Sequence, residues 1–391
     1  MYPDLSYLLH DIFPTFIERD GAFSVIKMFG LLLALAFVAS AYTCGLELMR
    51  KEKQGLLFPQ LVKVVSGKAP SVGDYIANGL LGFVAGFKLL YIVSNFAAFK
   101  LDAAGILFST KGNMAGGIIG AAMFVAYNLW EASKTKNVQP KEQLINVYPH
   151  ERIGDITIVA AVSGIAGAKL FSVLENFQDF LLDPLGQLFS GSGLTMYGGL
   201  ILAFFSVFIF VRRLGIAPLH MMDCAAPAIT VGYGVGRLGC HFSGDGDWGI
   251  SNEQAKPLSY LPDWLWSYQY PNNVLNEGIP MENCVGQYCS QLAVGVFPTP
   301  LYETLLCALM LLILWQLRTR IAIPGFLFFI YLLLNGLERF SIEGIRVNPR
   351  YDYFGMHLSQ AQYIAIVLML IGVAGMAILY VKDKRKKEKL G

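Results

Sequence analysis

Apolar runs of about 20 residues, each long enough to cross the hydrocarbon core of a bilayer, recur along nearly the whole chain. They fall near 24–48, 74–97, 113–131, 154–177, 194–211, 220–242, 299–317, 323–343 and 361–381. This pattern predicts an all-α, polytopic transmembrane helix bundle of about nine spans. A mean hydropathy of +0.50, with 55% hydrophobic and 15% charged residues, excludes a soluble domain with a large core. Span 220–242 is the least regular, being interrupted by Pro227 and several glycines.

The basic residues orient the bundle. With the N-terminus outside, the inner segments hold 19 lysines and arginines and the outer segments six, Arg19, Lys100, Lys111, Lys256, Arg346 and Arg350. The positive-inside bias therefore predicts an outer N-terminus and a cytoplasmic C-terminus. The tail from Lys382 is a topology anchor that also touches anionic lipid, and it implies no nucleic-acid partner. The first 20 residues lack a basic n-region and are interrupted by Pro3, Asp4, Asp11 and Pro14. They read as a short interfacial helix rather than a cleavable signal peptide. Cys284 and Cys289 fall in the outer loop 243–298, where an oxidising compartment permits a disulfide. Cys44, Cys224, Cys240 and Cys307 lie in or beside spans as packing residues. No Cys/His spacing suggests a metal site.

An internal repeat revises the organisation. At an offset of 81 residues Asp74 aligns with Asp155, Ala85-Gly86 with Ala166-Gly167, and Lys88-Leu89 with Lys169-Leu170. Residues 95–109 and 176–190 agree at nine of fifteen positions. One residue later in register, Met114-Ala115-Gly116-Gly117 matches Met196-Tyr197-Gly198-Gly199. A helix pair with its outer loop has been duplicated in the same orientation. Gly82/Gly86 and Ser163/Gly167 place small residues four apart, which lets helix backbones approach closely. Copy one, with Ala115, reads as structural; copy two, with Tyr197, reads as functional. The chain divides into an interfacial segment (1–23), a first spanning helix (24–54), and copy one with its linkers (55–153). The core helices (154–242), the outer loop or head (243–298), the last spanning helices (299–381) and the basic tail (382–391) follow.

Ionisable side chains at membrane depth are retained where they pair or act. Arg237 lies near the outer end of the sixth span and Arg339 near the outer end of the eighth. Asn335, Arg339 and Glu343 recur every four residues, and Arg346 follows one turn later on the same face. Arginines converging from different helices make a bidentate anion site suited to phosphate. The alternative is that Arg339–Glu343 and Arg237–Asp245 are ordinary buried pairs. His241, Asp245 and Asp247 follow Arg237, with Gly244, Gly246 and Gly249 letting the backbone turn beside a ligand. These side chains could take a proton from a nucleophile or only orient the arginines. Tyr302 and Glu303 open the seventh span at the same depth, and Tyr197, Gly198 and Gly199 open the fifth. Six aromatic residues, Trp248, Tyr260, Trp264, Trp266, Tyr268 and Tyr270, fit the outer loop to be a lid or head over the cleft, or else a passive loop on the outer interface.

In combination these pieces resemble the prolipoprotein diacylglyceryl transferase family of bacterial inner membranes. Gly236-Arg237-Leu238-Gly239 and Trp248-Gly249 are similar to its signature, and Tyr197-Gly198-Gly199-Leu200 to its His-Gly-Gly-Leu. Pro298-Thr299-Pro300-Leu301-Tyr302-Glu303 resembles its Pro-Ser-Gln-Leu-Tyr-Glu, and Arg339, Glu343 and Arg346 follow in order. The likeness covers roughly 24–54 and 155–380. The signature Asn is Cys240 here, its Glu is replaced by Asp245 or Asp247, its His is Tyr197, and Phe29 and Asn335 stand for two of its tyrosines. The resemblance implies transfer of a diacylglyceryl group from phosphatidylglycerol to the lipobox cysteine in the signal peptide of a prolipoprotein, with no metal or organic cofactor. It assigns Arg237 and Arg339 to the phosphate; the residues that serve as bases in the family are mostly replaced here, so Asp245, Asp247 or His241, with Tyr197 in the place of the family's His, are the candidates for proton removal. Arg346, Glu303, Tyr302, Glu343, Gly249 and Gly198 are the expected substrate-binding residues. A transporter or binding protein for an anionic lipid or solute, or a catalytically inactive relative, is the alternative.

Overall fold

The computed structural model describes residues 1–66, 71–101, 103–135, 141–189, 195–353 and 355–389. Lys68 and Lys136 of the inner basic set, and Asp102 and Ser190 of the repeat, lie outside these residues. The chain forms two compact units, one of Met1–Phe58, Pro149–Thr157 and Val211–Gly391, the other of Pro59–Tyr148 and Ile158–Phe210.

In chain order the elements are α1 (Leu5–Ile12), α2 (Met28–Lys53), β1 (Gln60–Ser66), α3 (Val72–Ser94), α4 (Phe96–Leu101), α5 (Ala103–Phe108), α6 (Met114–Thr135) and β2 (Lys141–Val147). Next come α7 (Ile153–Glu175), α8 (Phe177–Leu182), α9 (Pro184–Phe189), α10 (Met196–Arg213), α11 (Pro218–Ser243) and α12 (Asp263–Trp266). The last are β3 (Ile279–Pro280), β4 (Ser290–Gln291), α13 (Thr299–Leu317), α14 (Phe326–Ile342), β5 (Arg350–Tyr353), β6 (Met356–Ser359) and α15 (Gln360–Glu388). Each expected span coincides with a long helix. Five stretches, Met28–Lys53, Val72–Ser94, Pro149–Glu175, Thr299–Leu317 and Gln360–Glu388, are long and apolar enough to cross a membrane. The chain is a multi-pass membrane protein.

The all-α expectation needs one correction, because among the described residues three two-stranded antiparallel ladders join the helices: β1–β2, β3–β4 and β5–β6. The linkers on either side of copy one pair with each other from Gln60↔Val147 to Ser66↔Lys141. Their β-branched runs, Leu61-Val62-Lys63-Val64-Val65 and Leu144-Ile145-Asn146-Val147, favour a pleated backbone over a loop.

Within the second unit the duplication is geometric. Helices α3, α4 and α5 recur as α7, α8 and α9 at the 81-residue offset, and α6 recurs as α10 at 82. A Cβ at Gly86 would strike the Gly116 carbonyl, and a Cβ at the equivalent Gly167 would strike that of Gly198. Both pairs thus meet backbone to backbone at the same rung, as small-residue spacing allows. Lys88 stays within its own copy, donating to the carbonyl oxygens of Ile106 (2.9 Å) and Lys111 (3.0 Å) and to that of Ser109.

In the first unit α11 packs against α2 and α13, and α14 against α15. Pro227 leaves α11 unbroken from Pro218 to Ser243. At the end of these helices remote from Arg237, Asp223 pairs with Lys51 at 3.0 Å and accepts from the backbone N–H of Gly325 (2.9 Å), fixing the start of α14. Glu47 there binds Arg50 and Arg318. Beyond α11, Trp248, Tyr270, Leu292 and Val296 form a small hydrophobic core in the head 243–298, and Cys284 and Cys289 are joined as a disulfide. The N-terminal segment lies on this head. Asp4 caps α1 through the Ser6 N–H (3.1 Å), Tyr7 packs edge-on against Tyr288, and the Tyr2 N–H donates to Phe242 at 2.7 Å.

Candidate active site

Four chain segments bring charge to one end of the first unit. Arg237 comes from the last turns of α11, Asp247 from the loop after it, Glu303 from the first turns of α13, and Arg339 from the end of α14. Helix α14 stops at Ile342, so regular spacing does not carry Arg346 round as expected. A 3-10 turn over Glu343–Ile345 ends in extended backbone at Arg346, which still returns the guanidinium to the cluster.

Glu303 is the hub. Its side chain has no exposed surface and accepts from Arg237, Arg339 (3.1 Å), Arg346 (3.4 Å) and the Tyr233 hydroxyl (3.3 Å). Asp247 bridges Arg237 and Arg346 (2.6 Å), and Glu343 lies 3.2 Å from Arg339 while accepting from Asn348 at 2.5 Å. Charge-assisted pairs of this density suit planar guanidinium forks. Arg237 pairs with Asp247 rather than with Asp245, and the chain turns through Gly244 (φ 62°) and Gly246 (φ 94°) between the helix and that pair. Asp245 instead neighbours Cys240, and one ligand atom of each of Cys240, Asp245 and Asp247 lies within 4.8 Å of the others. Burial pushes the Asp245 carboxyl up, as does the charge of Asp247, against a hydrogen bond with Cys240. Burial also acts upward on Asp247, but Arg237 and Arg346 outweigh it and hold that carboxyl below its ordinary range.

Gly249 closes the loop. Its N–H donates to Phe297 at 2.9 Å and it bridges Arg346, while an added Cβ would lie 2.5 Å from the Ile345 carbonyl oxygen. Overpacking of this kind costs about 1–3 kcal/mol. Gly249→Ala is expected to lower the thermal unfolding midpoint of the detergent-solubilised protein; a wild-type midpoint would refute the contact.

Tyr302 and His241 meet the head instead. The Tyr302 hydroxyl donates to the Leu265 carbonyl at 2.6 Å, tying α13 to the head. His241 is buried against Tyr268 and Tyr270, with its Nδ1 3.2 Å from the Tyr270 hydroxyl. Tyr197 and Gly198 open α10 in the second unit, where a Cβ on Gly198 would strike Phe171. Three participants escaped the sequence reading. Tyr233 and Asn348 bond the hub carboxylates, and Glu338, buried beside Arg339 in sequence, has both carboxylate oxygens without a described hydrogen-bond partner. Glu338 alone left a signal, an acidic residue inside an apolar run.

The helices and the cluster define a membrane protein in which three arginines converge on one buried carboxylate. A model of the prolipoprotein diacylglyceryl transferase family matches residues 135–378. The chain is 26% identical over 260 residues to the phosphatidylglycerol–prolipoprotein diacylglyceryl transferase of Dehalococcoides mccartyi, covering 65% of this chain and 84% of the relative. It is 28% identical over 251 residues to the enzyme of that name from Lysinibacillus sphaericus (64% and 84%), and 27% over 241 residues to that of Streptococcus pyogenes (61% and 81%). The chain belongs to the prolipoprotein diacylglyceryl transferase family and is an enzyme of the transferase class. The matched region begins at residue 135, the last residue of α6.

Proposed function

We propose that this enzyme moves the diacylglyceryl group of phosphatidylglycerol onto the thiol of the lipobox cysteine of a prolipoprotein, forming a thioether and releasing glycerol phosphate. The observation that carries this reading is the convergence of Arg237, Arg339 and Arg346 on one buried carboxylate. Displacing a phosphate ester requires cations around the departing oxygens, and the cluster gathers three guanidiniums in one place. The thiol must lose its proton, since thiolate is the nucleophile. Asp245, Asp247 and His241 are the bases near Arg237 in the chain, and of these the two aspartates lie beside the cluster. Glu303 and Glu343 orient the arginines.

The chain in this reading spans the bacterial inner membrane nine times, with its N-terminus outside, a cytoplasmic basic tail and the site at the outer surface. The Cys284–Cys289 disulfide in the head supports that orientation, because such bonds persist in oxidising compartments. Purified protein incubated with phosphatidylglycerol and a lipobox peptide is expected to add a diacylglyceryl mass to the peptide cysteine. A peptide with serine at that position should stay unchanged. No mass gain on the cysteine peptide would overturn the reading in favour of an inactive relative or a lipid-binding protein.

A further inference from the structure

The arginine cluster holds two kinds of counter-ion. Glu303 has no exposed side-chain surface, sits on a helix and is bonded by four residues. Asp247 belongs to a loop, follows Gly246 at φ 94°, and leaves 35% of its side chain exposed. Its backbone carbonyl is anchored by the Thr299 hydroxyl at 2.7 Å, so its carboxylate can turn while its Cα stays in place. Arg237, Arg339 and Arg346 are all engaged by carboxylates, those of Glu303, Glu343 and Asp247. A phosphodiester entering this site adds a negative charge and needs donors that are already engaged. Glu303 cannot yield them without leaving a buried charge bare. Asp247 can, because water is available to it.

We propose that Asp247 is a displaceable internal anion: the lipid phosphate takes its place on Arg237 and Arg346, and the released carboxylate receives the proton of the attacking thiol. This rests on the transferase reading, which supplies the thiol. The groups facing Asp247 are Arg237 and Cys240 from α11, Asp245 from its own loop, and Arg346 from the segment after α14. With both arginines paired to it, Asp247 is a poor base. Once phosphate holds them, Asp247 keeps Asp245 as its charged neighbour, and a like charge raises its affinity for a proton. A competent base therefore exists only while lipid is bound. The thiol proton moves to Asp247, the sulfur bonds to the glyceryl carbon, and the carbon–oxygen bond breaks with its electron pair passing to the phosphate oxygen. Glycerol phosphate leaves, and Asp247 returns its proton to water as it re-pairs with the arginines.

The probe is glycerophosphoglycerol, a phosphodiester that does not itself titrate near pH 5. Its binding to the detergent-solubilised protein is measured calorimetrically at about pH 5, just above the ordinary carboxylate range, in two buffers of different ionisation enthalpy. Wild type is expected to take up a fraction of a proton on binding. Asp247→Asn should bind roughly tenfold tighter, about 1.4 kcal/mol, take up no proton, and turn over the lipobox peptide at least about a hundredfold more slowly. Asp245→Asn, which removes the like charge, should lower the proton uptake without tightening binding as Asp247→Asn does. Weaker or unchanged binding in Asp247→Asn, or proton uptake persisting in it, would overturn the proposal. The wild-type buffer comparison needs no variant, and zero uptake there overturns it equally. Binding results as expected with no peptide product from wild type would instead sink the transferase reading alone.

Discussion

Glu303→Ala is expected to produce the largest loss of stability of any single substitution in the site, together with complete loss of transferase activity. The side chain is wholly buried and three guanidiniums converge on its two oxygens. Removing one partner from a buried ionic group leaves uncompensated charge and costs about 3–5 kcal/mol; here three cations lose their shared partner. Glu303→Gln separates shape from charge. It can still accept from Tyr233 and from one arginine, so it should unfold at a temperature between those of wild type and the alanine variant. Its activity should nevertheless be lost, because the arginines are no longer held at one point. Thermal unfolding in detergent and peptide mass spectrometry give the two readouts. A wild-type unfolding midpoint for Glu303→Ala would mean that the arginines hold their positions without the hub.

The sequence made the arginines legible for the same reason that Glu303 is needed: charge at membrane depth persists only with partners or a task. Arg237, Glu303 and Arg339 each stand out against an apolar run, and the structure joins them. Helix extents were readable from apolar length, and the repeat from identity at a fixed offset, down to the equivalent Gly86 and Gly167 contacts. Which carboxylate meets which arginine was not readable. Asp245 and Asp247 differ only in where a glycine-rich turn delivers them, and the three-residue 3-10 turn before Arg346 leaves no periodic trace. Tyr302 and His241 illustrate the same limit. Each is adjacent in sequence, or one turn away, from a cluster residue, yet their polar atoms meet Leu265 and Tyr270 of the head. Tyr233 and Asn348 are unremarkable as residue types, and only tertiary packing makes them partners of Glu303 and Glu343.

Arg237→Ala and Arg339→Ala are each expected to reduce turnover by about 10²–10³, the effect of removing one donor aimed at developing negative charge. The two should differ in what else they lose. Arg237 engages both Glu303 and Asp247 with only 10% of its side chain exposed, so its removal should also lower the unfolding midpoint. Arg339, at 22% exposure and near a helix end, should lose activity with a smaller stability change. Arg237→Lys sharpens the comparison. An ammonium keeps the positive charge but has no planar fork with which to span Glu303 and Asp247 at once. If Arg237 acts only as a buried counter-ion, lysine should restore most of the activity along with the fold. If its guanidinium orients the leaving phosphate, lysine should recover stability while turnover stays near the alanine level. Retained transferase activity in both alanine variants would refute a catalytic role for the arginine cluster altogether.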